Sequence, residues 1–139
     1  MASGVYQRFV ANALNKLVDM SAGDTIKCIL LNNTHAFTGS DNTYSQVSAN
    51  ELATTGGYTA GGAAVGTPTV TQANPIKWDG DDVTWTSASF TAYHAVLYDD
   101  TLVGDDLIAS FDFGGAQTVT GGTFTIQWNA SGIVTFTPA

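Results

Sequence analysis

The sequence predicts a mainly β domain, an antiparallel β-sandwich or jelly-roll-like fold carrying one N-terminal α-helix. Three observations lead there. Val83 and Trp85 alternate with Asp82, Thr84 and Thr86, and Leu107, Ala109, Phe111 and Phe113 alternate with Ile108, Ser110 and Asp112, which is the period of half-buried strands. Charged residues make up only 12% of the chain and aromatics 11%, with 15 Gly, a balance that suits sheet surface better than exposed helix. A clear helical period is confined to the N-terminal stretch, where Tyr6, Phe9, Val10, Ala13, Leu14, Leu17 and Val18 recur at three- and four-residue spacing.

That stripe predicts a helix over about residues 4–18, with Ser3 as N-cap and Gly23 as a stop signal. Its apolar side is expected to pack on the chain's own sheet, the alternative being that it covers a neighbouring subunit. Thr25 to Asn32 reads as a strand that is apolar on both faces, Ile26, Cys28 and Leu30 on one and Ile29 and Leu31 on the other. A strand of that kind is covered on each side; the helix is expected over one face and the β core over the other. Residues 33–62 turn polar and Gly-rich, apart from a short helix expected over Tyr44 to Leu52. A connection of this length is uncommon in a compact domain unless it contacts something, so it reads either as a binding arm or as a passive loop.

Val65 to Ala73 is expected at a sheet edge, because Pro68 cannot donate to a ladder. Ile76-Lys77-Trp78 precedes the Asp79-Gly80-Asp81 turn, and Val83 resumes the sheet. Tyr93 to Asp100 and Leu107 to Phe113 form strands joined by the open loop Asp99 to Asp106. Thr123 to Trp128, the turn Asn129-Ala130-Ser131-Gly132 and Ile133 to Phe136 read as a closing hairpin.

The 139 residues fit a single domain spanning 1–139, and a chain of this size buries roughly two-thirds of its unfolded surface without a metal or disulfide staple. Cys28 is alone and lies in an apolar run, so it reads as a buried inert thiol and nothing calls for an oxidising compartment. No cleavable leader pattern and no membrane-length apolar run is present, which leads us to expect folding in a cytoplasm. Four Lys or Arg against twelve Asp or Glu give a net charge of -8. Such a chain repels nucleic acid and anionic lipid, so neither is expected as a partner.

Candidate chemistry is sparse. Asp79-Gly80-Asp81-Asp82 resembles a fragment of a calcium loop but lacks the ligand spacing and bidentate Glu of an EF-hand, the nearest Glu being Glu51. Asp99, Asp100, Asp105 and Asp106 flank one loop, where they read as solvated charges that discourage edge pairing, the alternative being that they together hold a cation. His35 and His94 sit in no metal-binding pattern, and His94, on the strand face of Val96 and Tyr98, is expected to be a hydrogen-bonded structural residue. Gly56-Gly57 and Gly61-Gly62 lack the Lys and helix start of a phosphate cradle. Asn32-Asn33-Thr34 and Asn129-Ala130-Ser131 match the glycosylation sequon without a secretion signal beside them. No catalytic residue, metal ligand or cofactor is therefore assigned, and the chain is not expected to be an enzyme.

Several stretches resemble, in order along most of the chain, a family of small structural proteins of tailed double-stranded DNA bacteriophages. They are Asp24-Thr25-Ile26-Lys27, Gly57-Tyr58-Thr59-Ala60-Gly61-Gly62, Asp81-Asp82-Val83-Thr84-Trp85, Tyr93-His94-Ala95-Val96-Leu97-Tyr98-Asp99-Asp100 and Gly122-Thr123-Phe124-Thr125-Ile126-Gln127-Trp128-Asn129. The resemblance implies a capsid decoration, or cement, protein on the outer surface of the head, a homo-oligomer, often a trimer, that bridges major capsid subunits. It carries no residue-level site. The other readings are a different virion position, such as a head-fibre base, connector or tail component, and a carbohydrate- or receptor-binding β-sandwich.

Overall fold

The structure, a computed structural model, describes residues 3–137. It is mainly β and sandwich-like, with one α-helix near the N-terminus and every strand pairing antiparallel. The strands are β1 (Gly4–Val5), β2 (Ile26–Leu31), β3 (Ala63–Ala64), β4 (Thr69–Thr71), β5 (Ile76–Asp79), β6 (Val83–Asp99), β7 (Asp106–Ile126) and β8 (Val134–Phe136); the helix α1 is Gln7–Leu14. One sheet has the order β1-β7-β6-β2-β3 and the other β4-β5-β8.

β2 is buried on both faces, as its composition predicts. Ile26, Cys28 and Leu30 join Ala95, Leu97 and Ile108 in a core shared with Trp78 and Val134 of the smaller sheet. Ile29 and Leu31 join Val96, Tyr98 and Leu107 on the opposite face. That second face is covered by Tyr6 and by Phe37, Tyr44 and Val47 of the long connection, not by the helix. Residues 33–62 are therefore neither a free arm nor a passive loop. They are the lid of a second core, in which Val47 is buried, and the same segment sends Tyr58 into the first core.

The lid lies close to the strands because two of its glycines permit it. A Cβ on Gly56 would stand 2.1 Å from the Ser89 carbonyl oxygen, and one on Gly62 2.0 Å from that of Cys28, with φ of +59° and +78°. Only Gly meets both demands. Instead of the expected helix over Tyr44 to Leu52 there are two 3-10 turns, Tyr44–Gln46 and Ser48–Asn50. A capping box between Thr43 and Gln46 starts the first, and Ser48 Oγ donates to the Ser45 carbonyl at 3.3 Å, the kind of side-chain bond that competes with α-helical bonding.

The N-terminal helix is shorter than its stripe. Gly4 and Val5 pair with Ser110 and Ala109 of β7, so the chain is a strand where helix was expected. Ser3 does not cap the helix; its Oγ accepts a hydrogen bond from the Asp112 backbone N–H at 2.8 Å. Asn15 closes the last turn and Lys16 takes a left-handed φ of 59°, ending the helix well before Gly23.

β6 and β7 form one long ribbon, paired from Asp99↔Asp106 to Val83↔Ile126. The loop between Asp99 and Asp106 is the expected hairpin, but the sequence pattern breaks this ribbon into pieces. Bulges explain the break: Val83, Trp85, Ala88 and Ala92 are buried at spacings of two, three and four because the register shifts around Ser87, whose φ is 49°. Each extra residue reverses which parity faces inward.

The closing hairpin is corrected by the structure. The turn at Asn129 forms, with Ser131 N–H donating to Asn129 Oδ1 at 2.8 Å. The strand after it, β8, pairs with β5 through Ile76↔Phe136, Lys77↔Thr135 and Trp78↔Val134, and not with β7. A turn signal states that the chain reverses and is silent on which edge receives it. β4 lies at the edge of this small sheet, where Pro68 placed it.

Candidate functional site

Half of the apolar stripe of α1 is left bare. Phe9 enters the core, and Asn12 beside it is buried because its Nδ2 donates to Asp106 Oδ2 at 2.7 Å, where Arg8 Nε also donates at 2.9 Å. One carboxylate thus clamps the helix to β7 through two charge-assisted bonds. The remaining stripe points away: Val10 is 38% exposed, Leu17 53% and Leu14 81%. Phe136, itself 41% exposed, stacks on Phe9 with ring centroids 6.4 Å apart. The expectation that the stripe is core holds for Tyr6 and Phe9, and its alternative, a surface offered to a neighbour, fits Val10, Leu14 and Leu17.

A second apolar surface lies on the ribbon. Phe113 and Phe124 are half-buried and 6.4 Å apart, and Phe111 packs on Trp128 at 5.2 Å. Two adjoining cavities of about 310 and 320 Å³ share Phe113, Ile126 and Gln127 as walls. Trp128 is fixed by its indole N–H donating to the Asp81 carbonyl at 3.0 Å and its backbone N–H donating to Asp82 Oδ1 at 2.9 Å.

The acidic turns are clasps. Asp81 Oδ2 accepts from Thr67 Oγ1 at 2.8 Å, Asp79 Oδ1 accepts from Gly80 N–H at 2.9 Å, and Asp79 Oδ2 lies 3.7 Å from Lys77 Nζ. Around the hairpin loop Asp106 holds Arg8 and Asn12, and Asp100 pairs with Lys27 at 2.9 Å. Among the described residues no three His, Cys, Asp or Glu converge as a metal site. Asp99 differs from the rest: it is fully buried with Oδ2 unpartnered among the described residues, and burial, then the neighbouring Asp24 carboxyl, push its pKa up to about 7.

The two histidines, distant in sequence, meet edge to face with ring centroids 5.0 Å apart. His35 Nε2 bonds Ser110 Oγ at 3.0 Å, whereas neither ring nitrogen of His94 has a hydrogen-bond partner among the described residues, its Nδ1 standing 3.9 Å from Asp112 Oδ1. The expected hydrogen-bonded His94 is therefore not what the fold provides. Burial drives both rings toward the neutral form, His35 to about 4 with His94 adding to the effect, while Asp112 opposes it in both. Asn33, Tyr93, His94, Asp112, Gly114 and Gly115 line a cavity of about 280 Å³. His94 is only 1% exposed, so it offers that cavity almost no surface, and Ser110, also 1% exposed, is not in its wall. Cys28 is fully buried, and burial raises its pKa, which keeps the thiol protonated and inert.

The sequence reading missed one polar centre. Glu51 accepts hydrogen bonds from the Tyr44 and Tyr58 hydroxyls and from Gly61 N–H at 2.7 Å, and Tyr58 Oη in turn accepts from Leu30 N–H at 3.1 Å. Burial and the Glu51 carboxylate raise the pKa of both tyrosines, so the hydroxyls remain donors. The available signal was the placement of the chain's single Glu midway between two Tyr, seven residues from each. Comparison of the chain with family models, with curated proteins and with solved structures finds no match.

Proposed function

We propose that this chain is a structural virion protein of a tailed bacteriophage, a decoration protein that binds the outside of the head and bridges major capsid subunits. The observation that carries the reading is the bare apolar patch of Val10 and Leu14 on the helix and Leu17 just beyond its end, next to a helix otherwise pinned to the β scaffold. Apolar side chains exposed along one element form a surface whose burial on a partner is favourable at roughly 25 cal/mol per Å². The net charge of -8 suits the outer side of a shell, away from packaged DNA. A protein that binds only the assembled shell stabilises it by mass action, with no catalytic group and no cofactor.

The test is co-sedimentation of the purified chain with phage heads. Wild type is expected to pellet with the heads and Leu14→Gln/Leu17→Gln to bind at least about tenfold more weakly. The thermal midpoint should stay unchanged, because exposed substitutions of this kind shift stability by only about 0.5 kcal/mol. Failure of the wild-type chain to pellet, or equal pelleting of the variant, overturns the reading.

A further inference from the structure

We infer that two copies of this chain pair through the free edge of β7, strand against strand over Gly122–Ile126, with a two-fold axis near Phe124. The starting point is an unmet hydrogen-bonding edge. β7 runs 21 residues, yet on the side away from β6 its neighbour β1 reaches only Ser110 and Ala109. From Gln117 onward no described strand lies beside it. β6 also runs past its partner β2, which pairs only His94–Asp99, but residues 56–57 lie against that outer side, where Ser89 N–H donates to the Gly56 carbonyl at 2.8 Å. The remaining free edges belong to strands of two or three residues, whose brevity protects them, whereas an uncovered edge on a strand as long as β7 is a template for a further strand.

Charge selects the occupant. From Phe113 to the last residue the chain holds no Asp, Glu, Lys, Arg or His, and the facing part of β6, Val83 to Tyr93, is equally uncharged. All twelve acidic side chains lie elsewhere. On a molecule of net charge -8, most surfaces repel a second copy, and this neutral ribbon is where two copies meet without bringing carboxylates together. A strongly charged partner would gain nothing from it.

The local geometry suits a closed pair. The bulge at Gly114 and Gly115, with φ of 79° and 157°, interrupts the edge before Gln117, and the shift opposite Ala88 interrupts it again before Gly122. What is left is a short run, enough for a pair and too short for a stack of many chains. An antiparallel pairing about Phe124 sets Thr123 opposite Thr125 of the other copy and Gly122 opposite Ile126. Thr against Thr is a favourable cross-strand pair. The half-buried Phe124 side chain is then covered beside the two cavities at Phe113 and Gln127. An isologous contact of this kind closes with two-fold symmetry, in contrast to the trimer that the phage resemblance implies. It requires no capsid and stands whether or not the proposed function does.

Sedimentation of the purified chain tests it. Wild type is expected to move reversibly, with rising concentration, from the 14.5 kDa chain to twice that mass. Thr123→Glu/Thr125→Glu and Thr123→Lys/Thr125→Lys each place like charges opposite one another and should sediment as single chains. An equimolar mixture of the two variants should regain the doubled mass, which shows that both remain folded. Wild type that stays single at every concentration, a threefold mass, variants that keep the wild-type mass, or a mixture that fails to pair overturns the inference.

Discussion

Glu51→Ala is expected to lower the unfolding free energy by about 3–5 kcal/mol, because it strands several partners at once. The Tyr44 and Tyr58 hydroxyls and Gly61 N–H all donate to this carboxylate, and Tyr58 is itself buried in the main core. Removing the acceptor leaves donors within the fold unpaired. It also loosens the lid over the second core, since Tyr44 packs there with its ring 5.0 Å from that of Tyr98. Glu51→Gln retains one carbonyl acceptor and should lose less. Urea unfolding measures both; a loss below about 1 kcal/mol for the alanine variant, the size of one ordinary hydrogen bond, contradicts the role given to this residue.

Asp99→Asn is expected to act in the opposite direction, stabilising the protein at mildly alkaline pH. Burial and the adjacent Asp24 hold the Asp99 carboxyl protonated up to about pH 7 in the fold, against 3.8 as its ordinary value. Between those values the folded chain binds a proton that the unfolded chain has released, so stability falls as pH rises through the window. The loss is complete above the folded pKa and amounts to something on the order of 4 kcal/mol. Asparagine cannot ionise and escapes it. Melting curves should therefore place the variant above wild type at about pH 8 and close to it below about pH 4; a variant equally displaced at both ends contradicts the buried, protonated carboxyl.

Much of the fold was legible because its rules are local. The two-sided β2 follows from Ile26 to Leu31 having no polar position apart from Lys27, and the edge at β4 follows from Pro68. What escaped reading depended on distance or parity. The bulge at Ser87 reversed the alternation within β6 and made one strand look like two. Residues 33–62 read as a binding arm or a passive loop because their apolar members are scattered among Gly and Thr; only when the segment folds over the sheet do Phe37, Tyr44 and Val47 gather in the second core and Tyr58 enter the first. The helix stripe was read correctly as apolar, but period alone does not say whether a partner is present, and the fold buries Phe9 while leaving Leu14 bare. The meeting of His35 with His94 and of Asp24 with Asp99 joins residues far apart in the chain, for which spacing carries no signal.

The proposed function makes this protein a piece of a larger shell. The most direct measurement is the copy number of the chain relative to the major capsid subunit in purified phage particles, by quantitative mass spectrometry. The account predicts a number comparable to that of the subunit. Particles that lack the chain, or that carry it only in the small fraction expected of a tail or fibre component, would contradict it.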